Sequence, residues 1–206
     1  MITIAWDVDD ILNDLMRCWL VDKWLPEHPD CRVCFEQITQ NTPEYIIKST
    51  KEEYRLSLDI FRLSGAYHRL SPDPEVLAWF ENFGEKARHI ALTCVPLKAA
   101  HISADWVMRN FGKWIRSFNF VPSPRLNEEA PDYGHSKAGY LEWLNNVDVL
   151  VEDSEENILQ AKELGLKGIL VAKPWNKSGL SIKAALAQIN KIIEEEPVLL
   201  LPKAKR

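Results

Sequence analysis

Glycine is scarce in this chain, with eight in 206 residues, about half the usual share of roughly 7%. Their positions exclude more than their number does: 65, 84, 112, 134, 139, 165, 168 and 179. Gly134 and Gly139 have the outer spacing of a P-loop, but Tyr140 and Leu141 follow where Lys and Ser/Thr are needed, and no GxGxxG can be written anywhere. P-loop NTPase and ordinary dinucleotide-binding readings are therefore excluded. A phosphate handled by this chain must be met by a metal ion, by side chains and by ordinary helix N-termini.

A basic excess is also missing. Twenty-five Lys and Arg stand against 30 Asp and Glu, a formal charge of −5, which argues against a nucleic-acid polymer as partner and for a small molecule. No apolar run reaches the roughly 18 residues of a membrane span, and no basic region precedes the short run at Ile2–Trp6, so no membrane partner and a cytoplasmic location are expected. The four cysteines (18, 31, 34, 94) read as reduced thiols rather than a disulfide framework. His28, Cys31 and Cys34 make a loose HxxCxxC string with only Cys18 nearby, which falls short of a structural zinc set and reads as loop thiols.

With 46% apolar and 27% charged residues the chain can bury a sizeable core, as one domain or one with an insertion. Five short apolar runs read as buried strands: Ile2–Trp6, Ile90–Cys94, Phe118–Val121, Val147–Val151 and Gly168–Ala172. Helix-period segments lie around them at Ile11–Leu25, Pro74–Gly84, Ala99–Phe111, Lys137–Leu144, Glu155–Leu164 and Ser181–Ile193. The alternation predicts an α/β fold, a Rossmann-like parallel sheet with helices on both faces, whose chemistry lies at the C-terminal strand ends. Residues 16–72 hold helical pieces, prolines and no buried strand, so they read as a small helical cap inserted after the first strand; 1–15 and 73–206 form the core. In the tail from Glu194 to Arg206, the run Val198–Leu201 can pack on the body or on a second copy, which leaves a homodimer open.

Acidic residues cluster at two strand ends. Asp7-Val8-Asp9-Asp10 follows the first strand, and three carboxylates so close repel one another unless a cation sits among them. A turn and helix cap is the plain alternative. Glu152-Asp153-Ser154 closes the fourth strand; here Ser154 can cap a helix and Glu155 and Glu156 suit its first turn, which explains 154–156 but not Glu152-Asp153. Two acidic clusters facing one crevice point to a shared hard divalent metal. Thr93 puts a hydroxyl at the end of the second strand, where threonine is ordinary. Lys137 follows Ser136, which reads as a helix cap, and so falls in the first turn of a helix, the wrong end of the dipole for a cation unless an anion joins it; a solvated lysine is the plain alternative.

Asp7-x-Asp9-x-Ile11-Leu12, Thr93, Lys137 and Glu152-Asp153 resemble, in order and spacing, the four motifs of the haloacid dehalogenase-like phosphohydrolase superfamily. The resemblance spans residues 2 to about 172, and the 16–72 insertion lies where that superfamily places a small helical cap. Trp6 to Asp14, the helix before Thr93, and Lys173-Pro174-Trp175-Asn176 resemble the 5′(3′)-deoxyribonucleotidase group, with Asp10 where that group has glycine and Ile11 where it has Thr or Val. Glu152-Asp153-Ser154 is equally similar to the β-phosphoglucomutase and sugar-phosphate phosphatase branch.

The resemblance implies a Mg²⁺-dependent phosphomonoesterase in which Asp7 is phosphorylated and Asp9 serves as acid and base. Thr93 and Lys137 would hold the phosphoryl oxygens, and Asp7, the Asp9 carbonyl, Asp153 and Glu152 the metal. The substrate implied is a small phosphorylated metabolite, foremost a nucleoside monophosphate, with a small sugar phosphate handled by a phosphatase or mutase as the alternative. Trp19, Trp24, Phe35, Tyr45, Phe61 and Tyr67 offer faces for a nucleobase, although a cap also needs them for its core. A receiver-like or catalytically silent phosphate-binding protein is the rival class; receivers order these residues differently and lack a long insertion after the first strand.

Overall fold

The computed structural model describes residues 1–125, 128–129, 131 and 135–195. Five strands, β1 (Thr3–Trp6), β2 (Arg88–Val95), β3 (Ile115–Pro122), β4 (Val149–Glu152) and β5 (Lys167–Leu170), form one sheet in the order β3-β2-β1-β4-β5. Every pairing is parallel, with Trp6 level with Ala91 on one side and Val151 on the other. The first strand is therefore central, and the chain reverses direction across the sheet beside it. A reversal of this kind opens a crevice at the C-terminal strand ends.

Strand alternation sorts the core onto two faces. Ile4, Trp6, Val149 and Val151 point into the larger cluster, while Ala5 and Leu150 point into the smaller one. On the larger side the sheet is covered by α5 (Pro74–Phe83), α6 (Leu97–Phe111) and α9 (Ile182–Glu195), through residues such as Phe80, Trp106 and Ile189. The other side carries α7 (Lys137–Leu144) and α8 (Glu155–Glu163), through Leu141 and Ile158. This is the α/β architecture that the alternating strands and helices predict.

Between Leu12 and Asp73 the described chain contains helices and turns but no strand: α1 (Leu15–Trp19), a π-helical stretch (Leu20–Trp24), α2 (Leu25–Glu27), α3 (Lys51–Leu63) and α4 (Gly65–His68). The Asp73 amide donates to the Leu12 carbonyl at 2.8 Å, so the two ends of this excursion meet. Asp73 then caps α5, its Oδ1 accepting from the Glu75 and Val76 amides. Trp19, Trp24, Tyr54, Phe61 and Tyr67 are buried in the same cluster as the sheet residues Ile4 and Trp6, so the insertion shares the main core.

One helix start differs from the sequence expectation by more than two residues. The stripe from Ile11 predicts a helix there, but α1 begins at Leu15. Asp10 has φ +65°, a left-handed conformation that no helix can contain, and residues 10–13 form a turn instead. Glycine adopts that φ without strain, and aspartate is among the few residues that tolerate it. The apolar tail run Val198–Leu201 lies outside the described residues.

Candidate active site

The floor of the crevice is built at the ends of β1 and β4. Asp7 continues the ladder by one bond, its amide donating to the Val151 carbonyl at 3.0 Å. Its Oδ1 then accepts from the Val8 amide at 2.8 Å, which holds the carboxylate at the strand tip. Asn13 organises the turn that follows: its Oδ1 accepts from the Asp10 and Leu15 amides, and its Nδ2 donates to Asp9 Oδ1 at 3.3 Å. Asp10 Oδ1 takes the Met16 amide at 2.9 Å, so Asp10 and Asn13 together satisfy the open N-terminus of α1.

Glu152 and Asp153 come from the end of β4. Glu152 Oε1 accepts from the Asp153 and Ser154 amides. Ser154 caps α8 by accepting from the Asn157 amide, and Glu155 and Glu156 occupy its first turn, as the capping pattern predicts. The segment after β5 reaches back to brace this corner: Trp175 Nε1 donates to Asp153 Oδ2 at 2.8 Å, and Asn176 Nδ2 to the Asp153 carbonyl at 2.8 Å.

Lys137 opens α7 next to the cap Ser136, whose Oγ accepts from the Gly139 amide. Its Nζ lies 2.8 Å from Asp7 Oδ1 and 2.6 Å from Glu152 Oε2. Two carboxylates thus offset the unfavourable dipole at this position. Burial and the neighbouring Glu152 push the Asp7 carboxyl well above its usual range, with Lys137 pulling it back. Glu152 is raised by burial against the same lysine, and Asp153 is pushed up to about 6 by burial and by Asp7. Three buried carboxylates share one ammonium.

Asp7, Glu152 and Asp153 offer oxygens that all lie within 4.8 Å of one another, the one such metal-competent group among the described residues. This oxygen donor set, short of positive charge, suits a hard divalent cation. The Asp9 carboxylate is not in the group. It accepts instead from Arg62 Nη2 at 3.0 Å, Tyr67 OH at 2.8 Å and Asn13. His28, Cys31 and Cys34 form no metal group either: His28 stacks on Trp24 with ring centroids 3.7 Å apart, and all four cysteines are free.

A cavity of about 280 Å³ opens over this floor, and Asp7, Asp9, Thr93, Lys137, Glu152 and Asp153 all line it. Residues separated by as many as 146 positions are brought there by the parallel ends of β1, β2 and β4 and the start of α7. The inserted helices supply the roof, including Tyr54, Arg55 and Arg62 from α3.

The aromatic candidates do not form a stacking platform. Trp19, Trp24, Phe35, Phe61 and Tyr67 are buried, and Tyr45 is exposed outside the cavity lining. Their place in the core follows from the need of short inserted helices for an apolar centre. Tyr67 has a different role from the one its face suggested, its hydroxyl joining Asp9 and Ser103 at 2.8 and 3.0 Å. Arg62, Arg125 and Asp59 carry no motif in the sequence, and Asn13 lies within the Trp6–Asp14 stretch with nothing in the pattern to mark its role. Arg125, after β3, holds the buried Asp59 of α3 with two bonds of 2.7 and 2.8 Å, tying the insertion to the core. Only the Arg55-Asp59-Arg62 spacing along one side of a helix could have drawn attention to this group.

The chain has the fold of the haloacid dehalogenase-like hydrolases. A haloacid dehalogenase-like hydrolase from Streptococcus pneumoniae matches with a TM-score of 0.59 at 14% identity, over 91% of this chain and 90% of that one. A protein assigned as a phosphoglycolate phosphatase from Lactobacillus delbrueckii matches at 0.57 and 14% identity, over 95% and 98%. One assigned as a β-phosphoglucomutase from Thermotoga maritima matches at 0.53 and 15% identity, over 93% and 100%. No protein-family model and no curated protein matches the chain. Among the described residues no helix is long and apolar enough to cross a membrane.

Proposed function

We propose that the protein is a Mg²⁺-dependent phosphomonoesterase acting on a small phosphorylated metabolite through a phosphorylated Asp7. The observation that carries this reading is the convergence of Asp7, Glu152 and Asp153 with Lys137, while Asp9 stands separately in the same cavity. A nucleophile and an acid/base on one short turn, held by different partners, can act in sequence on one bond.

Asp7 attacks phosphorus, the ester bond to the alcohol breaks, and Asp9 gives its proton to the departing alkoxide. Asp9 then takes a proton from the water that attacks the acyl phosphate, releasing inorganic phosphate and restoring Asp7. Thr93 and Lys137 hold phosphoryl oxygens through both steps. Asp7, Asp153, the Asp9 carbonyl and Glu152, directly or through water, would hold Mg²⁺. The ion supplies positive charge that offsets repulsion between the carboxylate and the phosphate dianion. Residues 16–72 act as a cap that screens the cavity from water and selects the leaving group.

A small sugar or acid phosphate is favoured over a nucleoside monophosphate by the lining, in which Tyr54 is the one aromatic residue and is itself buried. Phosphate release from an aryl phosphate should require Mg²⁺ and stop with a chelator. A panel of nucleoside 5′- and 3′-monophosphates, hexose phosphates and phosphoglycolate then ranks the substrates. Stable phosphorylation without turnover would instead favour the receiver-like class.

A further inference from the structure

The roof of the cavity carries three arginines, two of them paired with carboxylates of the chain and one, Arg55, without a direct partner among the described residues. Arg55 and Arg62 stand two helical turns apart on the same side of α3, and both line the cavity. Arg62 is committed to Asp9 through Nη2, yet its buried Nε has no hydrogen-bond partner. Arg55 is half-buried and makes no hydrogen bond or ion pair among the described residues; it feels the Glu44 carboxylate through space. The third arginine of the lining, Arg125, is occupied by Asp59 and by Ser123. Arg55 is thus the roof guanidinium left to meet a ligand.

A guanidinium fork pairs with two oxygens of a carboxylate or phosphate, and partial burial strengthens such a pair relative to water. The phosphoryl group itself is accounted for on the floor by Thr93, Lys137 and the metal-competent acids. The cavity volume, about 280 Å³, lies at the small end of ligand sites, which run from roughly 300 to 1,000 Å³. We infer that the substrate is a small phosphomonoester whose leaving alcohol carries a second anionic group, a carboxylate or a second phosphate, read by Arg55 with Arg62 beside it. This inference rests on the phosphomonoesterase reading for the position of the phosphoryl group.

Binding of non-hydrolysable phosphonates, measured by calorimetry with Mg²⁺ present, separates the two. 3-Phosphonopropionate and propylphosphonate differ only by a carboxylate in place of a methyl group, and 1,3-propylenediphosphonate carries a second phosphoryl group. The wild-type protein is expected to bind at least one of the doubly anionic compounds about 10- to 100-fold more tightly than propylphosphonate, the size of one charged hydrogen-bonded contact. Whichever is preferred identifies the anion. Arg55→Gln should erase the preference and Arg55→Lys should keep part of it. Equal or undetectable binding of all three by the wild type, or a preference that survives in Arg55→Gln, overturns the inference. An Arg55-dependent preference without turnover of any ester would leave the anion site standing and remove the phosphomonoesterase reading. Turnover without the preference would do the reverse.

Discussion

Arg62 of α3 donates from Nη2 to Asp9 Oδ2 across 3.0 Å, joining two residues 53 positions apart. With Tyr67 on the other carboxylate oxygen, the proposed acid/base is held by the insertion as well as by its own turn. The packing of these inserted helices therefore sets where the Asp9 carboxylate points. Replacing Arg62 with Met leaves a buried carboxylate short of its cation, a change of about 3–5 kcal/mol. Urea unfolding should show that loss, and kcat on an aryl phosphate should drop about tenfold or more. Tyr67→Phe removes one neutral donor and is expected to cost about 1–2 kcal/mol.

The metal-competent corner predicts a ligand-dependent stability. Mg²⁺ should raise the melting temperature of the wild-type protein, and the rise should shrink sharply in Asp153→Asn, because binding to the folded state alone stabilises it by mass action. An undiminished shift in that variant would place the ion elsewhere. Asp7→Asn should remain folded and release no phosphate, since an amide cannot form the acyl phosphate; retained turnover would reassign the nucleophile.

Asp10 stands at φ +65° and also accepts from the Met16 amide. Asp10→Ala loses the acceptor and keeps a Cβ in the left-handed region, whereas Asp10→Gly loses the acceptor but relieves the backbone. The glycine variant should therefore be about 1 kcal/mol more stable than the alanine variant. An alanine variant as stable as the glycine one would mean that the turn rearranges.

His89 links stability to pH. Trp6 Nε1 donates to its Nδ1 at 3.1 Å, so the proton sits on Nε2 and is donated to the Gly84 carbonyl at 2.8 Å. A second proton on Nδ1 would face the Trp6 N–H, and burial lowers the imidazole from 6.5 to about 4, against the raising effect of the Gly84 bond. The unfolded chain therefore takes up the proton first as pH falls, and this contribution, complete above about pH 6.5, is lost towards pH 4. It amounts to about 3 kcal/mol. The neutral His89→Gln variant should narrow its stability gap to wild type between pH 7 and pH 4.5; a constant gap in thermal unfolding would count against the buried neutral imidazole.

The five strands were readable because each holds a short, mostly apolar run, and a parallel sheet buries both faces of its central strands, β1 and β4 here. The six candidate residues, which line one cavity, stand out in the sequence for a related reason. Asp7, Asp9, Glu152 and Asp153 are carboxylates directly beyond buried strands, Thr93 closes one, and Lys137 carries the wrong charge for its helix end. The acids and Lys137 depart from what local structure alone would place there, whereas Thr93 is ordinary for a strand and stands out only beside them. The start of α1 was misread because an apolar stripe continues through the turn at Asp10–Asn13, and periodicity does not register a positive φ.

By itself the amino-acid sequence determined the α/β layering and the carboxylates directly beyond two of its strands, since these follow from local apolar patterning and nearby charge. Tertiary structure decided the partners. Arg62 and Tyr67 on Asp9, Lys137 between Asp7 and Glu152, Trp175 on Asp153 and Arg125 on Asp59 are contacts across long stretches of chain. No local preference distinguishes these residues from the many other arginines, tyrosines and tryptophans. They find one another only when the sheet and the inserted helices close a shared core and bury the charges together.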